Sequence, residues 1–171
     1  ELLKLATHDA LTGVFNRRRF DEKLAENSLL FQRTGRPFAL LFIDADHFKH
    51  INDTHGHAIG DEVLRQLARL IQDNTRATDF LARYGGEEFA VLLPEVEEPE
   101  SPEVVAENIR AAIAGTTFAS VGHVTVSIGI GLAAPSDTTA TALIERADEQ
   151  LYQAKRAGRN RVVQQATAGS E

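Results

Sequence analysis

Phe38 to Asp44 (FALLFID) constrains this chain more than any other stretch. The run follows Pro37, stays apolar for six residues and ends on a carboxylate. It is far too short to cross a membrane and has the usual length of a strand. Its unbroken apolarity predicts a buried central strand, which needs sheet neighbours and covering helices.

Both are legible. Phe80 to Tyr84 and Phe89 to Leu93 read as short strands joined across Gly85-Gly86 as a hairpin. Val124 to Ala133 reads as a further strand, with Gly129 and Gly131 marking a bulge or a close backbone approach, and Asn160 to Gln164 as a last one. Asn16 to Thr34 is a helix with Asn16 as N-cap, Phe20, Leu24 and Phe31 near one face, and Gly35 as its stop. Gly60 to Thr75 carries Val63, Leu64, Leu67, Leu70 and Ile71 at helical spacing. Val104 to Ala114 and Ala140 to Ala157 complete the helices, the second stopped by Gly158. Pro94 to Pro102 (PEVEEPESP) reads as a solvated acidic connector. The pattern predicts an α/β (α+β) fold, a mixed sheet covered by helices.

At 171 residues the chain fits one domain, expected over residues 1–165, with residues 166–171 as a frayed tail. A chain of this size buries about 70% of its unfolded surface and needs no disulfide staples. It has no Cys, which fits a reducing compartment. No apolar run reaches about 18 residues, and no signal peptide is evident. The chain starts at Glu1 and lacks Met, so it is expected to be a piece of a longer protein. A net charge of −7 and the lack of a basic face argue against a nucleic-acid polymer as partner.

Two acidic clusters carry the candidate chemistry. Asp44 and Asp46 stand at the end of the buried strand; Glu87 and Glu88 follow the paired glycines of the hairpin. If the strands are neighbours, Asp44 and Glu87 meet at one sheet edge. Oxygen-only ligands select a hard cation such as Mg²⁺ or Mn²⁺, and such convergence builds two-metal phosphoryl or nucleotidyl transfer sites. The glycines would let a phosphate chain approach the backbone. Asp46 is left open, with a structural role favoured. His47, His50, His55 and His57 raise the rival of a zinc site, weakened by the absence of Cys.

The segment Phe42 to Asp61 (FIDADHFKHINDTHGHAIGD), followed by Arg83 to Phe89 (RYGGEEF), resembles the GGDEF family of diguanylate cyclases. Asp9 to Gly13 with Asn16-Arg17, Val126 to Ile130, Ala147-Asp148, Tyr152, Ala154-Lys155 and Gly158 to Asn160 extend the likeness over about nine-tenths of the chain. The form here is Gly-Gly-Glu-Glu-Phe. The resemblance implies a mainly antiparallel sheet like the palm of nucleotidyl cyclases and polymerases. It implies condensation of two GTP into cyclic di-GMP with release of pyrophosphate, at two Mg²⁺ or Mn²⁺ ions, across a homodimer of domains.

Carried over residue by residue, Asp44, the Ala45 carbonyl, Glu87 and Glu88 are the expected metal ligands. Glu87 also serves as base or helps to generate it. Lys49 stabilises phosphate charge. Asn52 and Asp61 resemble the guanine readers, Asp61 being also a candidate helix N-cap. Phe48 and His57 join the substrate site, and Lys155 and Arg159 resemble phosphate-contacting cations. Arg76-Ala77-Thr78-Asp79, with five residues between Asp79 and Gly85, matches the spacing of the family's Arg-x-x-Asp site where product inhibits. Some members of the family supply a second arginine from the helix after the acidic loop. The chain reads Ala106-Glu107-Asn108-Ile109-Arg110 there, which puts tight product-linked pairing in doubt. A cytoplasmic domain under an upstream sensory or signalling domain is implied, the full-length protein being free or membrane-tethered. The rival readings are a catalytically silent receptor for cyclic di-GMP or GTP, and another nucleotidyl transferase on the same palm.

Overall fold

The computed structural model describes residues 6–98, 101–137 and 139–165. From Arg17 on, the elements of the described residues follow in the order α1 (Arg17–Thr34), β1 (Ala39–Ala45), α2 (Phe48–His55), α3 (His57–Asp73), β2 (Phe80–Arg83), β3 (Glu88–Leu93), α4 (Ser101–Ala114), β4 (Thr117–Phe118), β5 (Gly122–His123), β6 (Val126–Leu132), α5 (Ala140–Arg156) and β7 (Val162–Gln164). The main sheet has the order β2-β3-β1-β6-β7. β1 lies at its centre, antiparallel to β3 and β6, and only β7 runs parallel to its neighbour β6. The sheet is therefore mixed and mainly antiparallel, as expected.

Strand alternation divides the core. Ala39, Leu41 and Ile43 pack with Val63, Leu67 and Ile71 of α3 and Ile109 and Ile113 of α4. Leu40 and Phe42 pack on the other face with Phe20 and Leu24 of α1 and Leu143 and Leu151 of α5. β1 is buried along its whole length, which is why it reads as a continuous apolar run. α1 is capped as expected: Asn16 Oδ1 accepts from the Arg19 amide at 2.9 Å. α5 sits directly on β6, because a methyl group at Gly129 would lie 2.1 Å from the Leu151 amide nitrogen. The Gly129 expectation of close approach, rather than a bulge, is the one realised.

Some boundaries differ from the sequence expectation. The helix expected from Gly60 begins at His57, and a separate eight-residue helix, α2, precedes it. Asp61 therefore lies inside α3 and is not its N-cap; Gly56 occupies that position. α2 escaped notice because His, Asn, Asp and Thr are weak helix formers. It is held by burial of Phe48 and Ile51. The acidic connector is shorter than expected, since α4 starts at Ser101. Val96 anchors it, buried and donating its amide to the Pro37 carbonyl at 3.1 Å. β4 and β5 form a two-stranded ribbon that no sequence pattern announced. The tail expected at residues 166–171 lies outside the described residues.

Candidate active site

The end of β1 and the start of β3 are adjacent. Asp44 pairs in register with Glu88, and the Ala45 amide donates to the Glu87 carbonyl at 3.2 Å. The antiparallel register thus brings both acidic clusters to one end of the sheet. Asp44 shares the strand face of Leu40 and Phe42, which α5 covers. Lys155, in the last turn of α5, donates to Asp44 Oδ2.

The electrostatics record this crowding. Burial raises the Asp44 carboxyl above its usual range; the Lys155 hydrogen bond and charge oppose this, and Glu87 and Asp46 reinforce it. Glu88 is pushed up to about 7, first by burial, then by the charges of Asp44 and Asp148, with Lys155 opposing. Each carboxylate makes its neighbour harder to ionise. Among the described residues, no three carboxylate or imidazole groups stand close enough to form a ready-made metal cage. The four histidines form none either.

Beside this cluster lies an open cavity of about 470 Å³. Phe48, Lys49 and Asn52 of α2, and His57 and Asp61 of α3, line one side; Glu87 lines the other. Gly56 makes the junction possible, closing α2 and opening α3 at φ 87°, a left-handed value that favours glycine. Asn52 Oδ1 is buried without a hydrogen-bond partner among the described residues. Arg83 fixes the opposite wall. Its Nη2 donates to the Gly86 carbonyl at 2.8 Å, and its Nη1 donates to Asp9 Oδ1 at 3.2 Å. Gly85 and Gly86 do not occupy left-handed backbone, and a methyl at Gly86 would meet nothing within 4 Å. The turn itself makes no demand for glycine at Gly86.

Other expected residues are placed apart from the cavity. Arg159 is exposed in the turn after α5, at φ 65°. Asp46 stands just past β1, its carboxylate accepting from Thr125 Oγ1 and Ser127 Oγ, both at 2.7 Å. This is a structural arrangement, the option favoured from sequence. Arg76 and Asp79 pair at the turn between α3 and β2. The Arg76 amide donates to Asp79 Oδ2 at 2.8 Å, and Arg76 Nη2 donates to Asp79 Oδ1 at 3.2 Å and to the Glu95 carbonyl at 3.0 Å. The Asp79 side chain is 0% exposed and that of Arg76 49% exposed. Arg110 is turned toward Glu107 and Asn160, donating to Asn160 Oδ1 at 2.8 Å.

Two participants had no signal of their own in the sequence. Asp148 reaches Glu88 electrostatically from α5, and the Asp9–Arg83 pair ties the hairpin turn to the chain's start across 74 residues. Both lie within stretches that carry the family likeness, but local spacing gives no reason to pair them.

The two acidic clusters meet at one sheet end, as their sequence positions led one to expect, with a cavity beside them, and comparison with known proteins decides the family. The model of the diguanylate cyclase GGDEF domain matches residues 6–161. This chain belongs to the GGDEF family. It is 46% identical over 172 residues to the response regulator PleD of Caulobacter vibrioides, a match covering 96% of this chain and 37% of PleD. It is 40% identical over 163 residues to the diguanylate cyclase DgcM of Escherichia coli, covering 95% of this chain and 39% of DgcM. The GGDEF domain thus spans under two-fifths of these curated relatives. Among solved structures, the coiled coil and GGDEF domain of DgcB from Caulobacter crescentus, in complex with c-di-GMP, superposes with a TM-score of 0.90 at 35% identity. That match covers 96% of this chain and 88% of DgcB's. No helix among the described residues of the GGDEF domain is long and apolar enough to cross a membrane.

Proposed function

We propose that this domain is a diguanylate cyclase that condenses two GTP into cyclic di-GMP. The observation that carries the reading is the adjacency of an open cavity of about 470 Å³, with Asn52 and Asp61 in its wall, to the paired carboxylates of Asp44 and Glu88 at the sheet end. In this reading Asp61 accepts from guanine N1–H and N2–H₂, and Asn52 supplies the second polar contact. Phe48 and His57 flank the base. Lys49, Lys155 and Arg159 hold the triphosphate, and the space above Gly86 admits it.

The donor set suits divalent metal. Asp44, Glu87 and Glu88 offer only oxygen, with the Ala45 carbonyl beside them, and their mutual repulsion is what a hard cation relieves. Two Mg²⁺ or Mn²⁺ ions bound there would acidify the attacking hydroxyl and neutralise the departing pyrophosphate. Glu87 takes the proton of the ribose 3′-hydroxyl. The new bond joins that oxygen to the α-phosphorus of the second GTP, and the bond to the β-phosphate oxygen breaks. A second, symmetric transfer closes the ring, so two domains must face each other with one GTP each. Arg76 and Asp79 form the product site that restrains the reaction. Residues 1–165 act as the catalytic domain of a longer cytoplasmic signalling protein, whose upstream part sets the pairing.

Incubation of the domain with GTP and Mg²⁺, followed by chromatography for cyclic di-GMP and assay of pyrophosphate, tests this. Both products should appear in a 1:2 ratio, with a rate that rises faster than linearly with domain concentration. Binding of GTP or cyclic di-GMP without turnover, in a preparation shown to dimerise, would make the domain a silent receptor instead.

A further inference from the structure

Gly60 lies buried in α3, facing α2. A methyl group there would stand 1.9 Å from Asn52 Oδ1, 3.0 Å from Asn52 Cγ and 3.3 Å from Phe48 Cζ. The Asn52 carboxamide therefore occupies the space that a side chain at position 60 would fill. Its Oδ1 is buried there without a hydrogen-bond partner among the described residues. Shape, rather than hydrogen bonding, holds the amide.

We infer that Gly60 is a positioning residue for base specificity: its missing side chain is the seat of the Asn52 carboxamide and holds that amide in place at the cavity wall. The inference rests on the reading of the cavity as a guanine site. With Oδ1 against Gly60, the Nδ2 end is left as a donor on the cavity side. Asp61, an acceptor, lines the same cavity. One donor beside one acceptor complements the guanine edge, which offers the O6 acceptor and the N1–H and N2–H₂ donors. Adenine offers an amino donor in place of O6, so the same pair meets it donor to donor.

The obstacle to a residue at position 60 is side chain, the Asn52 carboxamide with the Phe48 ring edge behind it, and not backbone. A methyl is therefore accommodated by swinging the amide out of its seat, at small cost to folding and large cost to recognition.

The test measures binding of the Mg²⁺ complexes of α,β-methylene GTP and α,β-methylene ATP by calorimetry. The proteins are wild type, Gly60→Ala, Asn52→Ala and the double variant, each with its thermal midpoint recorded. Wild type should favour the guanine analogue. Gly60→Ala should lose roughly tenfold in guanine affinity, the scale of one misplaced base contact, with adenine affinity and thermal midpoint nearly unchanged. In the Asn52→Ala background, Gly60→Ala should change nothing further. Equal binding of both analogues by wild type would overturn the guanine reading and this inference with it. A guanine-selective wild type whose selectivity survives Gly60→Ala overturns the inference alone, as does an equal loss for both analogues or additive losses in the double variant. Should Gly60→Ala fail to fold, recovery of folding in the double variant supports the seat, and failure to recover overturns it.

Discussion

Asp46 and Asn160 meet across 114 residues of chain: the Asn160 amide donates to Asp46 Oδ2 at 3.0 Å. Asp46 stands two residues past Asp44, and Asn160 stands one past Arg159, in left-handed backbone at φ 47°. With the hydroxyls of Thr125 and Ser127 on the same carboxylate, the end of β1, the start of β6 and the turn after α5 share one acceptor. Arg110 extends the tie to α4 through the Asn160 side chain.

Asp46→Asn should therefore lower stability by about 2–4 kcal/mol, because an amide nitrogen replaces one acceptor and leaves buried donors unpaired. Ser127→Ala removes one donor and should cost about 1 kcal/mol. Urea unfolding of the three proteins checks the order. A loss under half a kilocalorie for Asp46→Asn would mean that the carboxylate ties nothing together.

Glu87 is the residue whose loss should separate chemistry from folding. Its contact with β1 is made by its backbone carbonyl, not its side chain. Glu87→Gln should keep the circular dichroism spectrum and thermal midpoint of the wild type while turnover falls by at least about 100-fold, the usual share of a proton-transfer group. A folded variant with near-normal cyclic di-GMP production would remove Glu87 from the mechanism.

What the sequence disclosed, and what it did not, follows from the range of the interactions. The FALLFID run, the Asn16 cap and the helical spacing of Val63, Leu67 and Ile71 are local signals, and each element stands within a few residues of its expected place. The cavity gathers Phe48, Lys49, Asn52, His57, Asp61 and Glu87, side chains that the sequence motifs single out. α2 was hidden because burial of two residues, not helix propensity, holds it. That same helix displaced Asp61 from its expected capping role. Lys155 on Asp44, Arg83 on Asp9 and Asn160 on Asp46 span 111, 74 and 114 residues, and no local pattern encodes which distant carboxylate a cation or amide will find. Gly60 looked like a helix start; its meaning lies in the side chain packed against it.

Acid should weaken the anchor of α5. Arg146 donates to the Leu132 carbonyl at 2.8 Å and to Asp137 Oδ1 at 2.5 Å. Burial works to raise the Asp137 carboxyl, but the Arg146 hydrogen bond, the Ala134 amide and the Arg146 charge outweigh it, so the group is held below its ordinary range. A depressed folded pKa gives stability that is present above the unfolded value, about 3.9, and lost as pH falls through the folded value. Arg146→Met should thus cost about 1–2 kcal/mol at pH 7, with the gap to wild type narrowing below about pH 4. Unfolding curves of both proteins from pH 7 to pH 3 check this. A gap that is constant with pH would mean that Arg146 acts through packing and the Leu132 carbonyl alone.

The proposed product site makes a prediction with two arms, because Arg76 and Asp79 are unequally built in. Asp79 is fully buried and accepts from the Arg76 backbone amide, while its own amide donates to the Arg76 carbonyl at 3.0 Å. It shapes the turn between α3 and β2 whatever else it does. The Arg76 guanidinium is half-exposed and can leave Asp79 and the Glu95 carbonyl without breaking the turn. Arg76→Ala should keep the turn, because the residue 76 amide still donates to Asp79 Oδ2, and keep turnover at low product. It should also relieve inhibition by cyclic di-GMP. Asp79→Ala should relieve inhibition too, but with a loss of about 1–2 kcal/mol from the unpaired turn amide. Inhibition in the wild type should itself be modest. Asn108 stands in the stretch where some members of the family supply a second arginine, and Arg110 is committed to Glu107 and Asn160. Product can hold two domains apart only through a differential affinity for that arrangement, and one arginine per domain gives less of it. Initial rates titrated with cyclic di-GMP for wild type and both variants decide the matter. Superimposable curves for wild type and Arg76→Ala would leave the pair as a turn and nothing more.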